Sequence, residues 1–119
     1  MKILIVEDNL TNRAVLRDVL RFFSYVVVEA ENGARGVELA KAENPALIFM
    51  DLQMPVMDGY VATAALRADP ATKNIKIVAL TSSAMKGDRD KVMSSGFDGY
   101  VIKPFDIHHV IELVKKLAG

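Results

Sequence analysis

The run Ala46-Leu47-Ile48-Phe49-Met50 is apolar at every position, and the residue that follows it is Asp51. A strand with one wet face alternates apolar and polar side chains. A run without alternation is buried on both faces, which is the habit of parallel sheets covered by helices. Two further runs share this character: Ile3-Leu4-Ile5-Val6, followed by Glu7-Asp8, and Tyr100-Val101-Ile102, followed by Lys103-Pro104. An acidic side chain at the carboxyl end of a buried strand rarely serves packing. Delivered to one sheet edge, three acids and one lysine read as a site for a divalent cation and a phosphoryl group.

The rest of the chain fits the same architecture. Strands are expected at Lys2 to Val6, Tyr25 to Glu29, Ala46 to Met50, Ile75 to Leu80 and Gly99 to Ile102. Between them lie helical stretches. Asn9 to Phe23 carries Leu16, Val19, Leu20 and Phe23 on one face. A second helix starts at Asn32-Gly33, where Asn32 can cap free N–H groups; it turns Val37 and Ala40 inward and stops at Asn44-Pro45. A third covers Tyr60 to Ala68 and ends at Asp69-Pro70. Ala84 to Ser95 is weakly periodic: Met85 and Val92 share a face, Lys86-Gly87-Asp88 interrupts it, and Gly96 is the stop. Asp106 to Leu117 has the cleanest stripe, formed by Ile107, Val110, Ile111, Val114 and Ala118. Strand–helix alternation with short connections predicts a doubly wound α/β fold, a parallel sheet with helices on both faces. Sites in such folds form beyond the strand carboxyl ends, where the strand order reverses.

Composition narrows the function. The 119 residues suffice for one core, and 51% are apolar. Fifteen basic residues balance fifteen acidic ones, so no long-range field pulls the chain to nucleic acid or an anionic membrane, and no basic patch appears. Cysteine is absent, which excludes disulfides and thiolate metal sites. No apolar run approaches the roughly 20 residues of a membrane span. Met1-Lys2 leads straight into a strand, leaving no room for a signal peptide, so a soluble cytoplasmic protein is the expectation.

Within the candidate site, clustered carboxylates repel one another, and a hard cation with oxygen ligands compensates them. Mg²⁺ suits carboxylates, water and phosphate oxygens, and Mn²⁺ could substitute. Asp8 is the better direct ligand, Glu7 helps through water, and the Gln53 backbone carbonyl is a third protein ligand. Asp51 is the best nucleophile, because carboxylates can attack phosphorus to give an aspartyl phosphate and the chain has few rivals. Lys103 can set a point charge against a carboxylate or phosphoryl oxygen. The Thr81 hydroxyl can donate to a phosphoryl oxygen, although on its own Thr81 reads equally as a helix cap. Ser82 and Ser83 read as caps, with Ser83 facing the site. The Lys103-Pro104 bond is expected to be cis, aiming the amine inward. His108-His109 is not a metal pair: adjacent helical residues diverge by about 100° and no partner ligands exist. The methionines Met50, Met54, Met57, Met85 and Met93 read as core or loop packing.

The acidic pair Glu7-Asp8, the strand-end Asp51 with its Met54-Pro55…Asp58-Gly59 loop, Thr81 and Lys103-Pro104-Phe105 together resemble the response-regulator receiver domain of two-component signalling. The likeness spans 1–119 as one domain. Glu7-Asp8-Asn9-Leu10-Thr11-Asn12-Arg13 is also similar to single-domain cell-cycle regulators and to receivers attached to hybrid histidine kinases. The resemblance implies a five-stranded sheet of order 2-1-3-4-5, flavodoxin-like. It implies that a sensor histidine kinase or histidine phosphotransfer protein donates a phosphoryl group to Asp51. Mg²⁺ would be held by Asp8, Asp51 and the Gln53 carbonyl, and Lys103 would pair with a phosphoryl oxygen. Thr81 then moves toward the phosphoryl group, Tyr100 turns inward, and the surface of helix four, strand five and helix five changes for a downstream protein target. Such a protein is no separate enzyme, but catalyses its own phosphorylation and dephosphorylation. Glu7 stands where many members have Asp. Gln53 and Ser83 occupy positions that tune the dephosphorylation rate.

Other readings fit less well. A phosphoaspartyl hydrolase would carry a substrate-enclosing cap. A flavin phosphate would want N–H donors where Glu7-Asp8 stands. A receiver fold kept only for protein contact would have no need of the complete site.

Overall fold

The computed structural model describes residues 1–83 and 85–118. They form β1 (Lys2–Val6), α1 (Leu10–Phe22), β2 (Val26–Ala30), α2 (Gly33–Glu43), β3 (Leu47–Asp51), α3 (Gly59–Ala68), β4 (Lys76–Thr81), α4 (Lys86–Ser94), β5 (Gly99–Ile102) and α5 (Ile107–Ala118). All strand pairs are parallel, in the order β2-β1-β3-β4-β5. This is the doubly wound α/β sheet expected from the unalternated strands.

The period of two along each strand sorts the core into two layers. Ile3, Ile5, Leu47, Phe49, Val78 and Leu80 face Leu16 and Leu20 of α1 and Val110, Ile111 and Val114 of α5. Leu4, Val6, Ile48, Met50, Ile77 and Ala79 face Ala40 of α2, Ala62 and Leu66 of α3 and Val92 of α4. Every residue of β3 is buried, so no face of that strand has a use for polar side chains except at its end. Among the described residues no helix is long and apolar enough to cross a membrane.

β1 and β5 run as expected, whereas β2, β3 and β4 each begin and end one residue later. The cause is pairing. Ala30 is level with Val6, Asp51 with Leu80, and Thr81 with Ile102, so the ladder continues through the strand-end polar residues. Tyr25 drops out because its N–H bonds the Leu20 carbonyl of α1, just after Ser24 turns left-handed at φ 69°.

Helix termini follow their caps. Asn9, Asn32 and Asp58 each accept an N–H from the first turn of α1, α2 and α3. α5 starts at Ile107, and the Asp106 side chain accepts the N–H groups of His108 and His109. Four packing expectations fail. Ile107, expected on the α5 stripe, is 48% exposed. Phe23 lies outside the α1 stripe, exposed beside Phe22. Met85 precedes α4, which starts later than expected, and is exposed rather than paired with Val92; Ala84, the expected start, lies outside the described residues. Met93 is exposed as well, whereas Met50 and Met54 are buried. In both methionine cases α4 is the reason: it buries only Val92.

Candidate functional site at the carboxyl edge of the sheet

β1 leads left to β2 and β3 leads right to β4, so the strand order reverses between β1 and β3. Val6 is level with Met50, which brings the following residues Glu7 and Asp51 side by side at that opening. The side chain of Asp51 closes an otherwise apolar strand and is only 3% exposed; Glu7 is fully buried, and Asp8, next along the chain, is exposed.

Lys103 answers the buried pair. Its Nζ lies 3.0 Å from Glu7 Oε1 and 3.3 Å from Asp51 Oδ1. The Gln53 N–H donates to the same Asp51 oxygen at 3.2 Å. The Lys103-Pro104 bond is cis, as the motif led us to expect. Burial, and then the neighbouring Glu7, push the Asp51 carboxyl up to about 6, against the opposing pull of the Gln53 N–H and Lys103. Burial alone would lower the Lys103 ammonium, but its contacts with Glu7 and Asp51 outweigh that and raise it. One lysine therefore does not neutralise the cluster.

Carboxylate oxygens of Glu7, Asp8 and Asp51 all lie within 4.8 Å of one another. An all-oxygen donor set with unbalanced negative charge, open to water on the Asp8 side, fits a hard divalent cation. Glu7, Asp8 and Asp51 are the residues that could hold it. Glu7, enclosed and bound to Lys103, sits farther from water.

Thr81 ends β4 on the same edge, and its Oγ1 accepts the Ser83 N–H at 3.1 Å. The Lys103 N–H donates to the Thr81 carbonyl at 2.8 Å, tying β5 to β4 beside the site. Tyr100 is half-buried, and its hydroxyl accepts from Arg89 Nη1 at 3.3 Å. Leu52, Gln53, Asp58, Tyr60, Thr81, Ser83, Asp88 and Lys91 line a cleft of about 310 Å³ that runs from the site toward α4. Thus Glu7, Asp8, Asp51 and Lys103 form one cluster. Gln53 adjoins it through its backbone, and Thr81 and Tyr100 are engaged elsewhere by Ser83 and Arg89. His108 is exposed, His109 half-buried, and neither belongs to the site.

Three residues make contacts that the sequence does not reveal. A Cβ on Gly59 would overlap the Asp51 carbonyl oxygen, so glycine lets α3 start directly against the strand that carries the acid. Arg13 Nη1 donates to the Glu7 carbonyl at 2.9 Å while its Nε holds Glu29 at 3.1 Å, bracing the acidic turn from α1. Asp88 bonds Ser83. The Asp-Gly step was visible as a loop motif, but nothing in the sequence pairs Arg13 or Asp88 with their partners.

Residues 3–115 match the profile of the response regulator receiver domain. The chain belongs to that family. Receivers similar to it include the polar-differentiation response regulator DivK of Brucella anthropi, 34% identical over 98% of this chain and 95% of that protein. Among solved structures, the receiver of the sensor histidine kinase PA1611 from Pseudomonas aeruginosa PAO1 superposes with a TM-score of 0.91. It is 35% identical over 99% of this receiver and 97% of that chain, and carries a magnesium ion coordinated in its active site cleft. The receiver of Ssk1 from Saccharomyces cerevisiae, solved with the histidine phosphotransfer protein Ypd1, gives a TM-score of 0.92. Its identity is 33% over 99% of this receiver and 88% of that chain.

Proposed function

We propose that Asp51 of this receiver takes a phosphoryl group from a phosphohistidine on a sensor histidine kinase or histidine phosphotransfer protein, and that the aspartyl phosphate switches a surface read by a downstream protein. The observation that carries this reading is the buried Asp51 carboxylate in contact with Lys103, beside Glu7 and Asp8. The solved relatives support it, one by its magnesium ion and the other by its phosphotransfer partner.

Attack by an Asp51 carboxylate oxygen forms the new P–O bond as the P–N bond to the donor imidazole breaks. The imidazole leaves with the electron pair of that bond and takes a proton from solvent. With a carboxyl value of about 6, Asp51 is mostly ionised at neutral pH and available as the nucleophile. Lys103 already touches Asp51, so its ammonium stands beside the charge that arrives with the phosphoryl oxygens. The Gln53 N–H holds the carboxylate in place. Asp8, Asp51 and the Gln53 carbonyl would hold Mg²⁺, which would supply further positive charge for the transferring phosphoryl group. Hydrolysis of the acyl phosphate resets the domain, so the receiver helps catalyse both the gain and the loss of its own label.

The test is intact-mass spectrometry after incubation with acetyl phosphate and Mg²⁺, beside Asp51→Asn and a chelator control. One added phosphoryl group that requires both Mg²⁺ and Asp51 is the expected result. No adduct, with no consumption of acetyl phosphate either, would overturn the proposal in favour of a domain that only binds other proteins.

A further inference from the structure

The first turn of α4 reaches both residues that phosphorylation of Asp51 would move. Ser83 Oγ donates to Asp88 Oδ2, and the Ser83 N–H in turn donates to Thr81 Oγ1 at 3.1 Å. Asp88 therefore fixes the residue whose N–H engages the Thr81 hydroxyl. The next residue, Arg89, donates to the Tyr100 hydroxyl at 3.3 Å. Thr81 and Tyr100 sit on neighbouring strands, yet adjacent residues of one helix hold them.

α4 is suited to such a part because little else fixes it. It has nine residues, buries only Val92, and has no side-chain hydrogen bond at its N-cap, unlike α1, α2 and α3. Across the cleft, the Lys91 ammonium lies 4.5 Å from the centre of the Tyr60 ring, and the Met85 N–H at the helix start donates to Ser83 Oγ at 3.4 Å. A helix held by a few polar contacts rather than a broad apolar face can change position when those contacts change.

We infer that Asp88 is a positioning residue that keeps Thr81 in its unphosphorylated arrangement, acting through Ser83. The inference rests on the phosphoacceptor reading of Asp51 and deepens it. For Thr81 to turn toward a phosphoryl group on Asp51, its bond from the Ser83 N–H must stretch. The Asp88–Ser83 bond resists that by holding Ser83 still. Such a contact favours the resting state alone, so its loss raises the resting population of the switched state. One net hydrogen bond commands a change of about three- to tenfold.

The experiment compares the purified wild type with Asp88→Ala, Asp88→Asn, Ser83→Ala and the Asp88→Ala/Ser83→Ala double variant. Two quantities are read: the rate of Asp51 labelling by acetyl phosphate with Mg²⁺, and the amide NMR shifts of the unlabelled proteins. Asp88→Ala should speed labelling about three- to tenfold. It should also move the Thr81 resonance along the line that joins the unlabelled and labelled wild type. Asp88→Asn loses the charge but keeps an acceptor for Ser83, and should stay near wild type. Ser83→Ala should act in the same direction as Asp88→Ala although it also removes the acceptor of the Met85 N–H, and the double variant should match Ser83→Ala, because Asp88 acts through Ser83. Wild-type rate and shifts in Asp88→Ala, an Asn variant that behaves like Ala, or single effects that multiply would each overturn the inference. A wild type that takes no label overturns the phosphoacceptor reading instead. In that case a Thr81 resonance unmoved in Asp88→Ala also overturns the positioning role of Asp88, and a displaced one, restored by Asp88→Asn, upholds that Asp88 positions Thr81.

Discussion

Asp51 is ionised where ionisation is unfavourable, and stability should report it. Its carboxyl titrates near 6 in the fold against 3.8 for an unperturbed group. Below about pH 4 it is protonated in folded and unfolded chains alike and contributes nothing. As pH rises through the window between the two values, the unfolded chain loses its proton first, so the fold loses stability, and above about 6 the full penalty applies. Asp51→Asn removes the charge and keeps an oxygen for the Gln53 N–H. In metal-free buffer the variant should be more stable than wild type at pH 7.5, by about 1–3 kcal/mol at ~1.4 kcal/mol per unit. The gap should close near pH 4. Urea melts at the two pH values give the answer, and a gap of equal size at both would mean that the carboxylate is not destabilised by its surroundings. The identity of this residue was legible in the sequence because an acid after an unalternated strand has no packing role. The neighbours Glu7 and Lys103 were legible too, but not the balance between them, since burial and Glu7 outweigh Lys103 only once the edge is packed.

At the scale of elements, one guanidinium joins three parts of the amino edge of the sheet. Arg67, in the last turn of α3, donates through Nη1 to the Lys73 carbonyl at 2.7 Å and to the Ile75 carbonyl at 2.6 Å. Its Nε reaches the Gly96 carbonyl at 2.9 Å and its Nη2 reaches Asp98 Oδ2 at 2.8 Å. Asp98 also accepts the Ile77 N–H at 2.9 Å, so α3, the start of β4 and the turn into β5 share one network. Arg67→Ala should destabilise the fold by about 1–3 kcal/mol. Arg67→Lys should recover little, because a point charge cannot match the fork. A chemical melt of each variant checks this, and a Lys variant equal to wild type would show that charge rather than geometry matters. Folded Arg67→Ala should still accept label on Asp51, since the network lies at the opposite end of the strands. The elements themselves were legible wherever an apolar pattern set them. β1 and β5 carry continuous runs, and α5 carries a stripe that buries Val110, Ile111 and Val114. α4 was the exception, because a helix that buries only Val92 writes almost no period into its sequence. Its contacts through Asp88 and Arg89 were hidden for the same reason.

Over the whole molecule the charges sum to zero, yet their placement is uneven. Glu7, Asp8 and Asp51 converge on one edge with Lys103 as the cation in contact with two of them. The parallel topology is responsible, because it brings every strand's carboxyl end to the same side, and the reversal between β1 and β3 opens a gap there. The fold therefore carries an electrostatic penalty that a divalent cation can offset, and binding to the folded chain alone must stabilise it. With Mg²⁺ at ten times its dissociation constant, the gain is about 1.4 kcal/mol, which for a domain of this size raises the melting temperature by about 4–6 °C. Asp8→Asn and Asp51→Asn should each weaken this response, because each removes a carboxylate from the donor set. Lys103→Ala should not abolish it, because it removes a competing cation and leaves all three acids. Thermal melts across a Mg²⁺ titration at constant ionic strength separate a site from general screening. If NaCl at matched ionic strength reproduced the whole shift, or if Asp8→Asn responded like wild type, the cluster would hold no specific cation. The metal-binding part of the proposed function would then fail while the fold and the Asp51–Lys103 contact stood.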